Sequence, residues 1–327
     1  MPDFGPLYST PQPDAVERFI DGHYDLAGSV SCRMLTRGMN DTFLVVTKSG
    51  ERYVFRLSHR RARGAPDVRT ETAFISHLSR LQVPVAEPVP ARDGSLFVRG
   101  SAAEGMREGV LFRFIDGRQS NMADASDARS NGKTLALLHN GAETFSTDEG
   151  TYQLNLEHLL HRPLARIFDS GIVEDAQVRR KFEEIAERTA AAIEAFDGLT
   201  WTHCHGDCHG FNARINAAGE AVFFDFDDSG PGHLAYDLSV FLWAKISFGR
   251  KLTNMWHAFL EGYRSIRPVT PVDFEAVHRY VIVRHFWLMG EYASRAPEWG
   301  TDAVGWIAGE TNFLRSWEAE HFEDRLL

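Results

Sequence analysis

The first third of the chain alternates short apolar segments with turn residues. The segments are rich in strand-favouring residues, and Gly38, Asn40 and the Ser49-Gly50 pair separate the first three. This pattern predicts an antiparallel meander, and helical spacing of apolar residues follows it. Prolines crowd the first 13 residues, which predicts a loosely held arm. The predicted elements are a short helix ending at residue 20, strands at 30–35, 42–47 and 52–57, a helix at 70–81, and strands at 95–98 and 110–115.

Beyond Gly117 the apolar residues recur mostly at helical spacing. Phe182, Ile185 and Ile193, for example, share one face of a predicted helix. The predicted helices span residues 132–139, 175–196, 235–245, 252–263, 272–294 and 306–322, and the predicted strands span 213–215 and 221–224. The fold class is therefore predicted as α+β, with a β-rich N-lobe at 1–115 and a larger helical C-lobe at 116–327.

The composition is that of a globular protein. Of 327 residues, 43% are hydrophobic, enough for a large core without disulfides or a structural metal. Cys32, Cys204 and Cys208 are an odd set, which disfavours a disulfide framework and makes the cytoplasm the expected compartment. We expect no signal peptide and no membrane association, because no strongly apolar run approaches the roughly 20 residues of a membrane span.

The charge balance narrows the class of partner. With 35 Lys+Arg against 45 Asp+Glu, the net charge of −10 argues against nucleic-acid binding and against adsorption to anionic lipid. It does not exclude an anionic substrate, because a metal ion can invert the local field. Five arginines between residues 56 and 69 form the one basic cluster and predict a solvated loop.

The densest polar stretch, at 203–212, permits two interpretations. Its histidines and cysteines could ligate zinc. Structural zinc sites usually combine two separated ligand couples, whereas Cys204 and Cys208 have no second pair elsewhere. The alternative is phosphoryl transfer, which needs a carboxylate near the acceptor hydroxyl and oxygen ligands for Mg²⁺.

The spacing of the carboxylates favours phosphoryl transfer. Asp207 and Asn212 lie five residues apart, and Asp225 follows an apolar strand. Protein kinases use the same order: a catalytic-loop Asp, an Asn five residues later, and a metal-binding Asp after a short hairpin.

The sequences HGDCHGFN (205–212) and FFDFDD (223–228) resemble motifs of the aminoglycoside phosphotransferase and choline kinase superfamily. The run AVFFDFDDSGPGHLAYDL and the end of the chain look most similar to the bacterial stress-response kinase A branch, near homoserine kinase type II. The resemblance extends from about Met34 to the last helix. It implies a two-lobed protein-kinase-like fold that uses ATP and Mg²⁺.

The resemblance also implies roles for matching residues of the C-lobe. The implied assignments are Asp207 as catalytic base, and Asn212 and Asp225 as Mg²⁺ ligands. Asp227 would bind a second metal ion or support the ligands of the first, and His205 and Asp237 would hold the loop in place.

In the N-lobe the resemblance implies a nucleotide site that departs from many kinases. Asn40 matches the turn that covers the phosphates, and Glu71 matches the helix residue that pairs with a third-strand base. That base is Arg56, at a position where many kinases have Lys. An arginine side chain stays charged but is bulkier than a lysine side chain. The backbone of 111–115, which includes Phe112 and Phe114, would read adenine. The phosphate-covering turn contains a single glycine.

The expected function is transfer of the γ-phosphate of ATP to a hydroxyl of a small, amine-bearing metabolite or drug. A protein Ser/Thr kinase is an alternative, although Asp237 follows Asp225 by only 12 positions, which leaves little room for a peptide-docking loop. A non-catalytic nucleotide-binding module is a third, because of Arg56 and the glycine-poor turn. The C-lobe aromatics are expected mostly in the core, with a minority lining an acceptor pocket: Trp243, Phe286, Trp287, Tyr292, Trp299, Trp306 and Trp317.

Overall fold

A computed structural model describes residues 5–59, 64–148 and 152–322. The N-lobe contains a five-stranded antiparallel sheet. Its strands, numbered along the chain, lie in the order β1-β2-β3-β5-β4, so the third and fifth strands are neighbours. This confirms the predicted β-rich N-lobe. Its elements are α1 (Pro13–His23), β1 (Val30–Arg37), β2 (Asp41–Thr47), β3 (Arg52–Leu57), α2 (Ala65–Arg80), β4 (Val98–Ala102) and β5 (Gly105–Arg113).

Two details of the N-lobe differ from expectation. The strand predicted at 95–98 begins only at Val98, as β4, and residues 95–97 link it to a tight turn in which the Gly94 amide donates to the Ala91 carbonyl. The N-terminal arm is not loose where it is described, because Arg107 donates to the Ser9 carbonyl at 2.9 Å. Arg107 is itself buried and pairs with Asp41 at 3.0 Å.

The C-lobe packs around two buried helices, α6 (Leu234–Ile246) and α8 (Pro271–Ala293). This confirms the prediction of a helical C-lobe. None of the helices within the described residues combines the length and apolar character needed to cross a membrane. Its elements are β6 (Arg118–Gln119), α3 (Ala125–Ala142), α4 (Arg162–Asp169), α5 (Ala176–Glu194), β7 (Trp201–Cys204), β8 (Ala213–Ile215), β9 (Ala221–Phe223), β10 (Gly230–His233), α6 (Leu234–Ile246), α7 (Thr253–Arg264), α8 (Pro271–Ala293), α9 (Ala296–Trp299) and α10 (Thr311–Phe322).

The helix predicted at 306–322 is divided. A 3₁₀ segment, Asp302–Gly309, precedes α10 because glycines at 305 and 309 disfavour a continuous α-helix. Helix α4 and the π-helical turn before it, Glu157–His161, were not predicted.

Short strands place the polar loop between the lobes. β7 pairs with β10, and β8 with β9, so the loop at 205–212 is held between two small sheets. The N-lobe joins this platform directly, because the Ala86 amide donates to the Phe223 carbonyl at 2.8 Å.

Candidate active site

The loop at 205–212 is anchored by one buried carboxylate on α6. Asp237 accepts the His205 amide at 2.7 Å and the Gly206 amide at 2.8 Å, and the His139 ring lies 3.1 Å from it. Burial alone would raise the pKa of Asp237, but the hydrogen bond from His139 and the charges around it hold that pKa below its usual range. The loop is therefore fixed by tertiary contacts.

His205 and Gly206 fix the loop from within. The His205 ring lies 3.2 Å from the Phe224 carbonyl and accepts the Asp207 amide at 3.2 Å, and burial lowers its pKa. Gly206 has a φ of +83°, and a Cβ there would lie 2.0 Å from the Asp228 carbonyl oxygen. A larger residue would displace the loop from the neighbouring acidic segment.

Asp207 lies at the centre of the loop with 15% of its side chain exposed. Its Oδ2 accepts from the Asn212 amide group at 2.8 Å and lies 3.4 Å from His209, while its Oδ1 pairs with Arg284. Burial would raise the pKa of Asp207, but His209 and Arg284 hold it well below its usual range. Asp207 is thus an oriented, ionised carboxylate.

Arg284 is a site residue that sequence reasoning missed. It is 1% exposed on α8, and its guanidinium carbon lies 4.2 Å from the Trp287 ring centre. The sequence feature that could have indicated it is an arginine within the apolar run VIVRHFW. A charged residue on a buried helix face requires a buried partner of opposite charge.

Asp225 and Asp227 reach the same place from the strand end after β9. Asp225 has a φ of +65°, and its carboxylate lies 3.9 Å from the Arg56 guanidinium. Asp227 accepts from the Asn40 amide group at 2.7 Å, a hydrogen bond that joins the two lobes. The structure therefore brings together the carboxylates predicted in the C-lobe with two residues predicted in the N-lobe.

The carboxylates form a cluster short of positive charge. Burial, then repulsion from Asp227, Asp207 and Asp228, raises the pKa of Asp225 well above its usual value, and Arg56 offsets this only in part. A hard cation would relieve the repulsion, and carboxylate and amide oxygens are its preferred ligands. The donor set fits Mg²⁺.

Arg56 and Glu71 form a bidentate ion pair next to this cluster. Both hydrogen bonds measure 2.7 Å, and the side chains are 4% and 5% exposed. Burial lowers the pKa of Arg56, but Glu71 more than reverses this, so the guanidinium is charged. Arg56 is therefore not part of a solvated basic loop; Arg60, Arg61 and Arg63 of that predicted loop lie outside the described residues.

Phe112 and Phe114 lie at the lobe junction. Phe112 is buried on β5, with the Arg56 guanidinium carbon 5.4 Å from its ring centre. The amides of Arg113 and Phe114 donate to the carbonyls of Glu87 and Arg52 at 2.9 and 3.2 Å. Adenine recognition by this backbone stays a prediction, and those two amides are engaged within the protein.

A cleft of about 610 Å³ opens in front of Asp207. The acidic cluster and Arg284 line one part of it, and aromatic rings line the rest. The sequence did not single out Phe248, whose φ is +53°, or Arg250. The aromatic lining is Phe211, Trp243, Phe248, Trp287, Tyr292 and Trp306.

The structure does not gather the zinc ligands that the sequence offered. Within the residues described, one potential metal-binding trio appears, His139, Cys204 and Asp237, and it contains only one member of the 203–209 set. The Asp237 oxygens already accept hydrogen bonds from loop amides, and the Cys204 thiol lies 3.6 Å from the His233 carbonyl. The oxygen and sulfur atoms of this trio therefore already have partners within the protein.

Comparisons with known proteins find relatives along most of the chain. The model of the phosphotransferase enzyme family matches residues 36–269. An uncharacterised protein of Deinococcus radiodurans is 38% identical, covering 97% of this chain and 93% of its own. A homoserine kinase of Caulobacter vibrioides is 25% identical, covering 91% of each chain. The structure of amicoumacin kinase hAmiN in complex with AMP-PNP, Ca²⁺ and Ami superposes with a TM-score of 0.73 at 16% identity, over 92% of this chain and 93% of that one.

Proposed function

The chain belongs to the phosphotransferase enzyme family and acts on an alcohol group, and we propose that it moves the γ-phosphate of ATP to the hydroxyl of a small, amine-bearing molecule. The observation that supports this most is the ionised Asp207, held by Arg284 and Asn212 in a cleft that also contains Asp225 and Asp227. A phosphoryl acceptor and a metal-bound phosphate must meet in such a place.

Magnesium fits the donor set. Asn212, Asp225 and Asp227 would hold it through oxygen atoms, and Asp225 has the raised pKa of a carboxylate among like charges. When bound, the ion would neutralise phosphate charge during transfer. The Asn40–Asp227 hydrogen bond would place the N-lobe turn over this ligand set.

The nucleotide would lie between β3 and the acidic cluster. Arg56 is held by Glu71 with one nitrogen 3.9 Å from Asp225, which positions a fixed positive charge for a phosphate. The arginine keeps the ion pair that lysine would make, which supports a working nucleotide site despite the departure from Lys.

Asp207 would orient the acceptor hydroxyl and take its proton. The hydroxyl oxygen forms a bond to the γ-phosphorus, the bond from that phosphorus to the bridging oxygen breaks, and ADP leaves with the electron pair. Because the pKa of Asp207 is held low, the proton moves late, and orientation is the larger part of its role.

The lining of the cleft supports an amine-bearing acceptor. Trp287, Tyr292 and Trp306 line the same cleft as Glu291 and the acidic cluster. Aromatic faces and carboxylates both attract ammonium groups. A protein acceptor is less compatible, because β10 occupies the segment between Asp225 and Asp237 and pairs with β7.

The test is release of ADP by the full chain with ATP, MgCl₂ and a panel of hydroxylated amines, amino acids, sugars, aminoglycosides and a generic protein. We expect turnover with hydroxylated amines, its loss with EDTA, and a fall in kcat of about 10²–10⁴-fold for Asp207→Asn. Asp197→Asn, in an exposed loop, is the matched control. Full activity of Asp207→Asn, or faster transfer to protein than to every small molecule, would contradict the proposal.

A further inference from the structure

The cleft contains a positive charge that the proposed reaction does not use. Arg250, in the loop between α6 and α7, lines the same cleft as Asp207. Its guanidinium donates to the Ser247 hydroxyl at 3.2 Å, and its buried Nε has no hydrogen-bond partner among the described residues. Burial alone lowers the pKa of Arg250, since no neighbouring carboxylate raises it.

The other charges of the cleft have partners. Arg284 pairs with Asp207, Glu291 pairs with Arg166, and Asp227 accepts from Asn40. In the part of the chain that the structure describes, Arg250 is in no ion pair, although carboxylates line the same cleft. Arg250 therefore lies in a part of the cleft that is separate from the acidic cluster.

Lys245 is a second basic residue that interacts with Arg250, and it too forms no ion pair with a described residue. Lys245 is 1% exposed on α6, and its ammonium contacts the Met122 thioether at 2.8 Å and lies 4.2 Å from the Phe241 ring centre. Burial and then the charge of Arg250 lower the pKa of Lys245 to about 7. Lys245 is therefore only partly charged near neutral pH, and an anion nearby would favour its ammonium form and offset the charge of Arg250.

The loop that carries Arg250 is held in an unusual conformation. Phe248 adopts a φ of +53°, uncommon for a bulky residue, and it is 46% exposed at the cleft. Its ring packs edge-on against Trp243 and Trp306 with centroids 5.9 and 5.6 Å away. Such strain persists only where the surroundings enforce it, and it is common at ligand sites.

We propose that Arg250 binds a carboxylate of the acceptor, so that the substrate class is a hydroxylated amino acid or a similar zwitterion. The hydroxyl would lie at Asp207, the ammonium among the aromatic rings and acids, and the carboxylate at Arg250. Arginine matches a carboxylate with two parallel hydrogen bonds. This deepens the proposed function and rests on it.

The experiment compares acceptors that differ only in the carboxylate. L-serine, L-homoserine and 5-hydroxylysine are each assayed beside the corresponding amide and the decarboxylated amine. We expect wild-type kcat/KM to favour the best acid over its amide by about 10- to 100-fold, through KM. Arg250→Gln should remove that preference while changing the amides by less than about 3-fold, and Arg250→Lys should restore part of it.

Lys251→Gln removes the same charge from the adjacent exposed residue and should leave the preference intact. Thermal unfolding of each variant separates a folding defect from a binding defect. Equal use of acids and amides by the wild type, or an equal loss for both in Arg250→Gln, would overturn the assignment of Arg250 and leave phosphotransfer standing. Absence of turnover with every member of the panel would instead refute the proposed acceptor class as a whole.

Discussion

Arg284 and Asp207 form an ion pair in which the arginine is almost fully buried and the carboxylate faces the cleft. The pair joins α8 to the 205–212 loop across 77 positions of sequence. Arg284 also donates to the Gly206 carbonyl at 3.3 Å, so it fixes both the charge and the backbone of the loop. We infer that Arg284 is a positioning residue.

Replacing Arg284 should therefore damage turnover more than substrate binding. Arg284→Met leaves Asp207 without its buried counter-charge, and we expect kcat to fall about 10- to 100-fold with a small change in the KM for ATP. Arg284→Lys should recover part of kcat, because it restores charge without the fork geometry. Steady-state kinetics of both variants checks this, with Arg264→Gln, at an exposed position on α7, as the control. Unchanged kcat in a folded Arg284→Met would remove the positioning role.

Arg56 and Glu71 allow stability to be separated from nucleotide binding. Glu71→Ala removes both hydrogen bonds between the buried Arg56 guanidinium and its main partner and should lower the free energy of unfolding by about 3–5 kcal/mol. The double variant Arg56→Met/Glu71→Leu removes both charges and should recover most of that loss. It should nevertheless bind ATP poorly, because the phosphate-facing charge is gone. Denaturation and ATP titration of both variants test this, and tight ATP binding by the double variant would exclude Arg56 from the nucleotide site.

The sequence predicted the parts of the site that lie close together along the chain. Asp207, Asn212 and Asp225 share one motif with fixed spacing, and helical periodicity located α6, which carries Asp237. Arg284 could not be placed, because its distance to the loop depends on how α8 packs against α6.

Other features of the fold and the cleft could not be predicted, because their local sequence does not indicate the conformation that they adopt. β10 has the sequence GPGH, which reads as a turn, and forms a strand only because β7 lies beside it. The strained φ of Phe248, which brings the loop bearing Arg250 to the cleft, has no signature in composition.

The crossing of α3 and α7 requires glycine at Gly132. A Cβ there would lie 2.0 Å from the Phe259 carbonyl oxygen, which belongs to the backbone and cannot turn aside. Gly132→Ala should lower the free energy of unfolding by about 1–3 kcal/mol as the helices separate. Gly22 is the matched control, because it lies in α1 with nothing within 4 Å, and Gly22→Ala should be neutral or stabilising. Equal effects of the two variants in urea denaturation would contradict the close crossing.

His203 should make stability fall on acidification. It is buried against Phe74, with ring centres 4.2 Å apart, and burial lowers its pKa to about 4. Between pH 6.5 and 4 the unfolded chain binds a proton that the folded chain does not, so the free energy of unfolding decreases as pH falls through this window. For this one group the loss at pH 5 is about 2 kcal/mol. Other buried histidines contribute in the same direction, so the measurement is a difference: urea denaturation of wild type and His203→Phe at pH 7 and pH 5. The variant should lose less stability between the two values, and an identical loss in both proteins would show that His203 is not kept neutral by the fold.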